Sequence, residues 1–211
     1  MKAIVAALLL VSLTALAQTA EERLFEAIDD GKPLVAEGIV VRGKVNLNAR
    51  NVVGEAPLHR AIERGFRELT ALLVKSGAAV NVRSKNGETP LHLAALYEDN
   101  FYVELLLGAK ADVKVKNAAG ETALFWAVLT GNGGPARRLV EAGADVKATD
   151  LKGNTLLHAA ADGAHVELSS AFLSLGVDPR QRNKNGKRPY DIAKERGYTD
   201  LMKLLERFER E

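Results

Sequence analysis

A glycine-led segment recurs along this chain at a constant interval of 33 residues. Copies begin at Gly54, Gly87, Gly120, Gly153 and Gly186, and the first four read GEAPLHRA, GETPLHLA, GETALFWA and GNTLLHAA. A period of this length indicates short helical units that stack, because a single unit cannot bury its apolar face alone. The repeat therefore predicts an all-α array whose units bury their apolar faces against each other.

The repeated segments also carry a recognisable core motif. The copy that begins at Gly87 continues as TPLHLA, and this sequence at 33-residue spacing resembles the ankyrin repeat. The resemblance implies an ankyrin-repeat solenoid of helix–turn–helix units with projecting hairpin-like loops. We expect a divergent first unit at about 21–53, four regular repeats at 54–185 and a C-terminal cap at 186–211.

Capping residues mark the expected helix ends in these repeats. Hydroxyl side chains can cap a helix start, proline suits the first helical position, and glycine commonly ends a helix in a left-handed conformation. The corresponding residues are Thr89, Thr122 and Thr155, then Pro57 and Pro90, and finally Gly77, Gly143 and Gly176. The resemblance further implies that His59, His92 and His158 bridge threonine and backbone groups between repeats.

The third regular repeat departs most from the pattern. Phe125 replaces the motif histidine, and Arg138 falls where the pattern has an apolar residue. Residues 131–135 read GNGGP, which predicts a shortened second helix because glycine and proline disfavour helix interiors.

The first 17 residues have the three parts of a secretory signal peptide. Lys2 supplies a positive charge, residues 3–13 are almost entirely apolar, and Ala15-Leu16-Ala17 provides a small-residue cleavage site. A membrane anchor is the alternative, but the apolar run is short for a bilayer span of about 20 residues. We expect export with cleavage after Ala17, which leaves residues 18–211 as the ankyrin-repeat domain.

The lack of cysteine is informative about the cellular compartment of the protein. The chain contains no cysteine, so disulfides cannot stabilise it in an oxidising environment. It also contains no Asn-x-Ser/Thr glycosylation sequon. Together these features favour the periplasm of a bacterium over secretion from a eukaryotic cell.

Motifs for catalysis or metal binding are missing from the sequence. Three of the four histidines occupy the repeat motif, and His165 stands at the expected start of a second helix. The sequence has no phosphate-binding loop, no nucleophile elbow and no HExxH pair. We therefore expect a protein that is not an enzyme and that uses no cofactor or metal.

Basic residues are concentrated in the expected loops, although the net charge of the whole chain is only +2. The loop windows are 48–54, 81–87, 114–120, 147–153 and 180–186. They contain one acid, Asp150, and ten basic residues: Arg50, Arg83, Lys85, Lys114, Lys116, Lys147, Lys152, Arg180, Arg182 and Lys184.

Such a row of positive charge would steer a protein partner with an acidic surface. We expect the central residues of the row, Arg83, Lys85, Lys114, Lys116 and Lys147, to contact that partner. A merely solvated face and contact with an anionic membrane surface are the alternatives. Nucleic acid is disfavoured by the predicted export and by the lack of aromatic residues between the basic ones.

An apolar patch is expected on the inner face of the first helices. Leu93, Leu96, Tyr97, Trp126 and Leu129 follow the motif histidine position in the second and third regular repeats. Exposed apolar clusters with tyrosine and tryptophan are typical of binding sites. The alternative is that neighbouring loops cover these side chains.

These features predict a monomeric, non-catalytic module that binds a protein partner through its concave groove and basic loops. The exported bacterial ankyrin proteins that the chain resembles include inhibitors and immunity proteins of secreted phospholipases. Others are associated with periplasmic catalases and peroxide resistance, which would make this chain a scaffold. A structural protein associated with the cell surface is a further alternative.

Overall fold

The computed structural model describes residues 18–210, and all regular secondary structure in this range is α-helical. The predicted signal peptide at residues 1–17 lies outside the described part of the chain. The chain divides into two compact units, with the boundary between Ala79 and Val80. None of the described helices is both long and apolar enough to cross a membrane.

The described part of the first unit, from residue 18 onwards, contains four helices: α1 (Ala20–Asp29), α2 (Pro33–Val41), α3 (Pro57–Glu63) and α4 (Arg67–Lys75). Helix α1 packs against α2 and α3, and α2 packs against α4. The largest fully buried aliphatic side chains of these helices are Leu24, Ile28, Leu58, Ile62, Leu69 and Leu73. Burial of these aliphatic groups is the main stabilising contribution in the unit.

The second unit contains eight described helices in four antiparallel pairs. They are α5 (Pro90–Ala94), α6 (Phe101–Gly108), α7 (Ala123–Leu129), α8 (Gly133–Glu141), α9 (Leu156–Asp162), α10 (Val166–Ser174), α11 (Pro189–Arg196) and α12 (Thr199–Arg210). The first helices of the pairs, α5, α7, α9 and α11, pack in series. Ala94, Ala127 and Ala160 are fully buried, and their small side chains allow these helices to approach closely.

The expected cap positions are confirmed, and the hydroxyls of Thr122 and Thr155 accept helix N–H groups, whereas the hydroxyl of Thr89 bonds to His92 Nδ1 instead. Thr89, Thr122 and Thr155 are the N-cap residues of α5, α7 and α9, and Pro57 and Pro90 open α3 and α5. Gly77, Gly143 and Gly176 adopt positive φ angles of 89°, 88° and 78° after α4, α8 and α10. These signals are local in sequence, which explains why the helix ends could be predicted.

The prediction of a shortened second helix in the third repeat is wrong. Helix α8 has nine residues, the same length as α4 and α10. Pro135 lies in the first turn of α8, where its missing N–H leaves no backbone partner unsatisfied. Gly134 leaves room for the side chain of Asn100, because a Cβ atom there would lie 2.7 Å from Asn100 Oδ1. Arg138 remains half-exposed and pairs with Glu104 of α6 at 3.1 Å.

The hairpin-like loops of the second unit are joined by backbone hydrogen bonds. Each loop closes on itself, as where Asn117 N–H donates to Glu121 O at 2.9 Å. Successive loops are linked by bonds from Ala118 N–H to Asn86 O, Leu151 N–H to Ala119 O and Lys184 N–H to Lys152 O, at 2.7–2.8 Å. These links hold the loop side chains in a row.

Two glycines with the same backbone conformation should differ in their tolerance of alanine. Gly120 and Gly143 have φ angles of 79° and 88°, but only Gly120 is crowded. A Cβ atom at Gly120 would lie 2.8 Å from Leu151 N, whereas one at Gly143 meets nothing within 4 Å. We expect Gly143→Ala to cost about 1–2 kcal/mol of unfolding free energy, from the left-handed conformation alone. Gly120→Ala should cost clearly more, because the loop-to-loop bond must also shift. Urea unfolding measures both variants, and equal losses would contradict the crowding at Gly120.

Candidate partner-binding face

The predicted apolar residues lie on two first helices that pack against each other and in the turn that follows α5, where Leu96 and Tyr97 stand. Leu93 and Trp126 are equivalent positions on α5 and α7, and both are partly exposed. Leu96 and Leu129 lie one turn further along, with 45% and 38% of their surface exposed. Neighbouring loops therefore do not cover the patch. We use the name inner patch for Leu93, Leu96, Tyr97, Trp126 and Leu129.

Trp126 is held in place by hydrogen bonding and by an aromatic contact. Its indole Nε1–H donates to Glu121 Oε2 at 2.7 Å, and Asn117 Nδ2–H donates to the same oxygen at 2.9 Å. The imidazole of His92 meets the indole edge-on, with ring centroids 5.4 Å apart. The inner patch thus has a fixed aromatic side chain near its centre.

Tyr97 belongs to an aromatic cluster at the turn between α5 and α6. Its ring lies 4.8 Å from that of Tyr102, which is almost fully buried, and Phe101 packs edge-on against Tyr102 at 5.1 Å. Aromatic pairs of this geometry add stability beyond the area they bury. Tyr97 therefore rests on α6, and only part of it remains exposed for a partner.

The motif histidines connect repeats in the second unit, as the resemblance implied. Thr89 N–H donates to His92 Nδ1 at 3.1 Å, so Nδ1 is the acceptor and Nε2 carries the proton. The Nε2–H then donates to Glu121 O at 3.1 Å. His158 repeats this arrangement between Thr155 and Lys187 O, with bonds of 3.1 and 2.9 Å. Burial lowers the pKa of both imidazoles.

Acidification should therefore weaken the second unit. The pKa values of His92 and His158 are lowered in the folded chain, so the unfolded chain binds protons more readily. Their contribution to stability is full above the ordinary histidine pKa of about 6.5 and is lost as pH falls below it. We expect urea midpoints measured between pH 8 and pH 5 to fall at the acidic end, with a smaller slope in His92→Gln/His158→Gln. His165→Gln, at a partly exposed position, is the control. A urea midpoint that does not change with pH would contradict the lowered pKa values of His92 and His158.

Two of the predicted loop contacts have a structural role that the sequence did not reveal. Arg83 Nη2–H donates to Lys116 O at 2.7 Å, and Lys116 Nζ–H donates to Thr149 O at 2.8 Å. Both side chains thus bridge to the next loop 33 residues away. Among the described residues, the ammonium groups of Lys85, Lys114 and Lys147 make no hydrogen bond or ion pair.

Acidic residues stand just outside the loop windows and were missed as part of this surface. The carboxylates of Asp112, Asp145 and Asp178 accept the backbone N–H groups of Lys114, Lys147 and Arg180, each at 2.8 Å. The recurring sequence ADVK at 111–114 and 144–147 was the available signal. Positive and negative groups therefore alternate at the base of the loops, while Lys85 is exposed in the turn at a loop tip.

A cavity of about 250 Å³ extends the inner patch towards α9. Its apolar lining includes Leu129, Phe125, Ala159 and Ile192, and Glu121, Asp150 and Asp162 contribute carboxylates. Both Asp150 oxygens accept hydrogen bonds from Asn154, and Asp162 pairs with Arg196 at 2.5 Å. Within the described residues, no group of three histidine or acidic side chains has the geometry of a metal site.

The helical pairs, the linked hairpin loops and the bridging histidines define the class of protein. The family model described as ankyrin repeats (3 copies) matches residues 24–117, 58–150 and 124–209. The chain belongs to the ankyrin-repeat family, and its fold is an all-α ankyrin-repeat solenoid. A comparison with curated proteins gave no match. Ankyrin repeats generally mediate protein–protein interaction and are typically non-catalytic.

Proposed function

We propose that this protein is a non-catalytic module that binds its protein partner over the inner patch. The observation that carries this proposal is the exposure of Leu96 and Leu129 beside a fixed tryptophan. Proteins rarely expose a cluster of apolar side chains around an ordered aromatic ring unless the cluster is an interaction site. Tryptophan is also among the side chains that contribute most to protein–protein affinity.

The basic loops would guide that partner. The ammonium groups of Lys85, Lys114 and Lys147 are exposed and form no ion pair or hydrogen bond with the described residues. Positive charge of this kind raises the rate of encounter with an acidic protein surface and is screened by salt. Arg83 and Lys116 contribute charge while also joining successive loops. We therefore propose a monomeric module whose partner carries an acidic region next to the part that covers the inner patch.

For the biological role we propose an exported periplasmic protein that inhibits a secreted phospholipase. The sequence of residues 1–17 and the lack of cysteine support export. The inhibitor role follows only from the resemblance to exported ankyrin proteins that inhibit secreted phospholipases. The neighbouring genes test this role, because an adjacent lipase-type toxin gene supports an inhibitor. An adjacent catalase gene would instead support a scaffold for peroxide resistance.

Affinity capture from an envelope extract tests partner binding. Residues 18–211 are immobilised as the unchanged chain, as Leu93→Ala/Trp126→Ala and as Leu175→Ala. Leu175 is a matched control because it is an apolar side chain with 50% exposure at the end of α10. We expect one dominant protein that is lost with the double variant and retained with the control. Retention by all three chains would refute the inner patch as the binding site.

A further inference from the structure

The only polar group of the Trp126 side chain is already bonded within the protein. A tryptophan side chain offers a single donor, Nε1–H, and no acceptor. Here that donor is bonded to Glu121 Oε2 at 2.7 Å. The part of the indole that remains exposed therefore presents an apolar surface and has no hydrogen bond left to offer.

Glu121 is itself fixed by several contacts. Its N–H donates to Asn117 Oδ1 at 2.9 Å, and its backbone oxygen accepts from Asn117 N–H and from His92 Nε2–H. Its Oε2 atom accepts from Asn117 Nδ2–H as well as from Trp126. Since His92 also packs against the indole, α5 and the loop before α7 hold Trp126 from two sides.

We propose that Glu121 is a positioning residue that presets Trp126 as a rigid apolar anchor. We further propose that the partner places an aliphatic side chain against the indole, with no hydrogen bond to it. This inference rests on the proposed function, because it specifies what the inner patch accepts. A ring that is fixed before binding loses little conformational entropy in the complex. More of the free energy gained by burying its apolar surface therefore contributes to affinity. The exposed side chains of Leu96 and Leu129 would also pack favourably against an aliphatic side chain of the partner.

The chain has a single tryptophan, so one indole N–H signal in an NMR spectrum reports Trp126 without ambiguity. Glu121→Gln keeps an oxygen acceptor, whereas Glu121→Met keeps the length of the side chain and removes the acceptor. We expect the indole proton to exchange with water at least about tenfold faster in Glu121→Met than in the unchanged chain. Glu121→Gln should remain close to the unchanged chain.

Controls separate positioning from general stability. Glu167→Met changes an exposed acid on α10 and should leave the exchange of the Trp126 proton unchanged. If Glu121→Met does not fold, Asn117→Ala tests the same bond, because it removes the amide that holds Glu121 Oε2 and should also speed exchange. Equal exchange in the unchanged chain and in the folded variant would overturn the positioning role.

Two small probes test the chemistry of the occupant. N-acetyl-leucinamide and N-acetyl-glutaminamide share the same amide groups and have side chains of similar size, but only the glutamine side chain can form hydrogen bonds. We expect the leucine probe to shift the signals of Trp126 and Leu129 and the glutamine probe to shift them far less. Equal responses to the two probes, including none, would overturn the aliphatic occupant. A partner that binds while leaving Trp126 uncovered would be a separate result, against the proposed function itself.

Discussion

Replacing Leu124 with alanine is expected to lower the free energy of unfolding by about 2–5 kcal/mol. Leu124 lies on α7 and is fully buried, so its removal leaves a cavity in the close-packed centre of the second unit. The cost combines the lost transfer of the side chain from water with the lost contacts of the cavity walls. Urea unfolding monitored by circular dichroism measures the change.

Leu175→Ala is the matched control for this prediction. The same side chain is removed at the end of α10, where half of it is already exposed, so less than about 1 kcal/mol should be lost. Losses of equal size at Leu124 and Leu175 would show that the centre of the second unit is not packed as described.

Replacing Trp126 with alanine is expected to weaken partner binding by at least about 30-fold, the effect of losing about 2 kcal/mol at a dominant contact residue. The loss follows from removal of the largest partly exposed side chain in the inner patch and of its fixed position beside His92. Trp126→Phe keeps an apolar ring without the bond to Glu121, so a smaller loss is expected. Calorimetric titration with the captured protein measures both.

The matching control for binding is a change of charge in the loops. Lys85→Gln/Lys114→Gln should lower the association rate at low salt and change the dissociation rate little, since exposed charges act mainly on encounter. An affinity that is unchanged in Trp126→Ala but lost in the lysine variant would move the binding site from the inner patch to the loops.

Helix positions in this fold could be predicted because their signals are local. The 33-residue period locates each pair of helices. Residues such as Thr89, Pro90 and Gly77 lie within one turn of the helix ends that they mark. The length of the second helix in the third repeat was predicted wrongly because glycine can either end a helix or leave room for a neighbouring side chain. The sequence alone does not distinguish these two roles. At position 134 the glycine leaves room for Asn100 rather than ending a helix.

The candidate site was predicted in position but not in its internal contacts. The equivalence of Leu93 with Trp126 and of Leu96 with Leu129 follows from the period alone. The bond from Trp126 to Glu121 depends on how the loop folds back over the start of α7, which spacing does not encode. The bridges from Arg83 and Lys116 likewise depend on the distance between loops.

The most direct test of the account is the accessibility of Trp126 with and without the captured partner. As the only tryptophan, it reports the inner patch through its intrinsic fluorescence, and acrylamide quenching measures its exposure to solvent. If the partner covers the inner patch, it should shift the emission to shorter wavelength and strongly reduce quenching, in the unchanged chain and in Leu175→Ala alike. A complex in which Trp126 is quenched as readily as in the free protein would contradict binding at the inner patch.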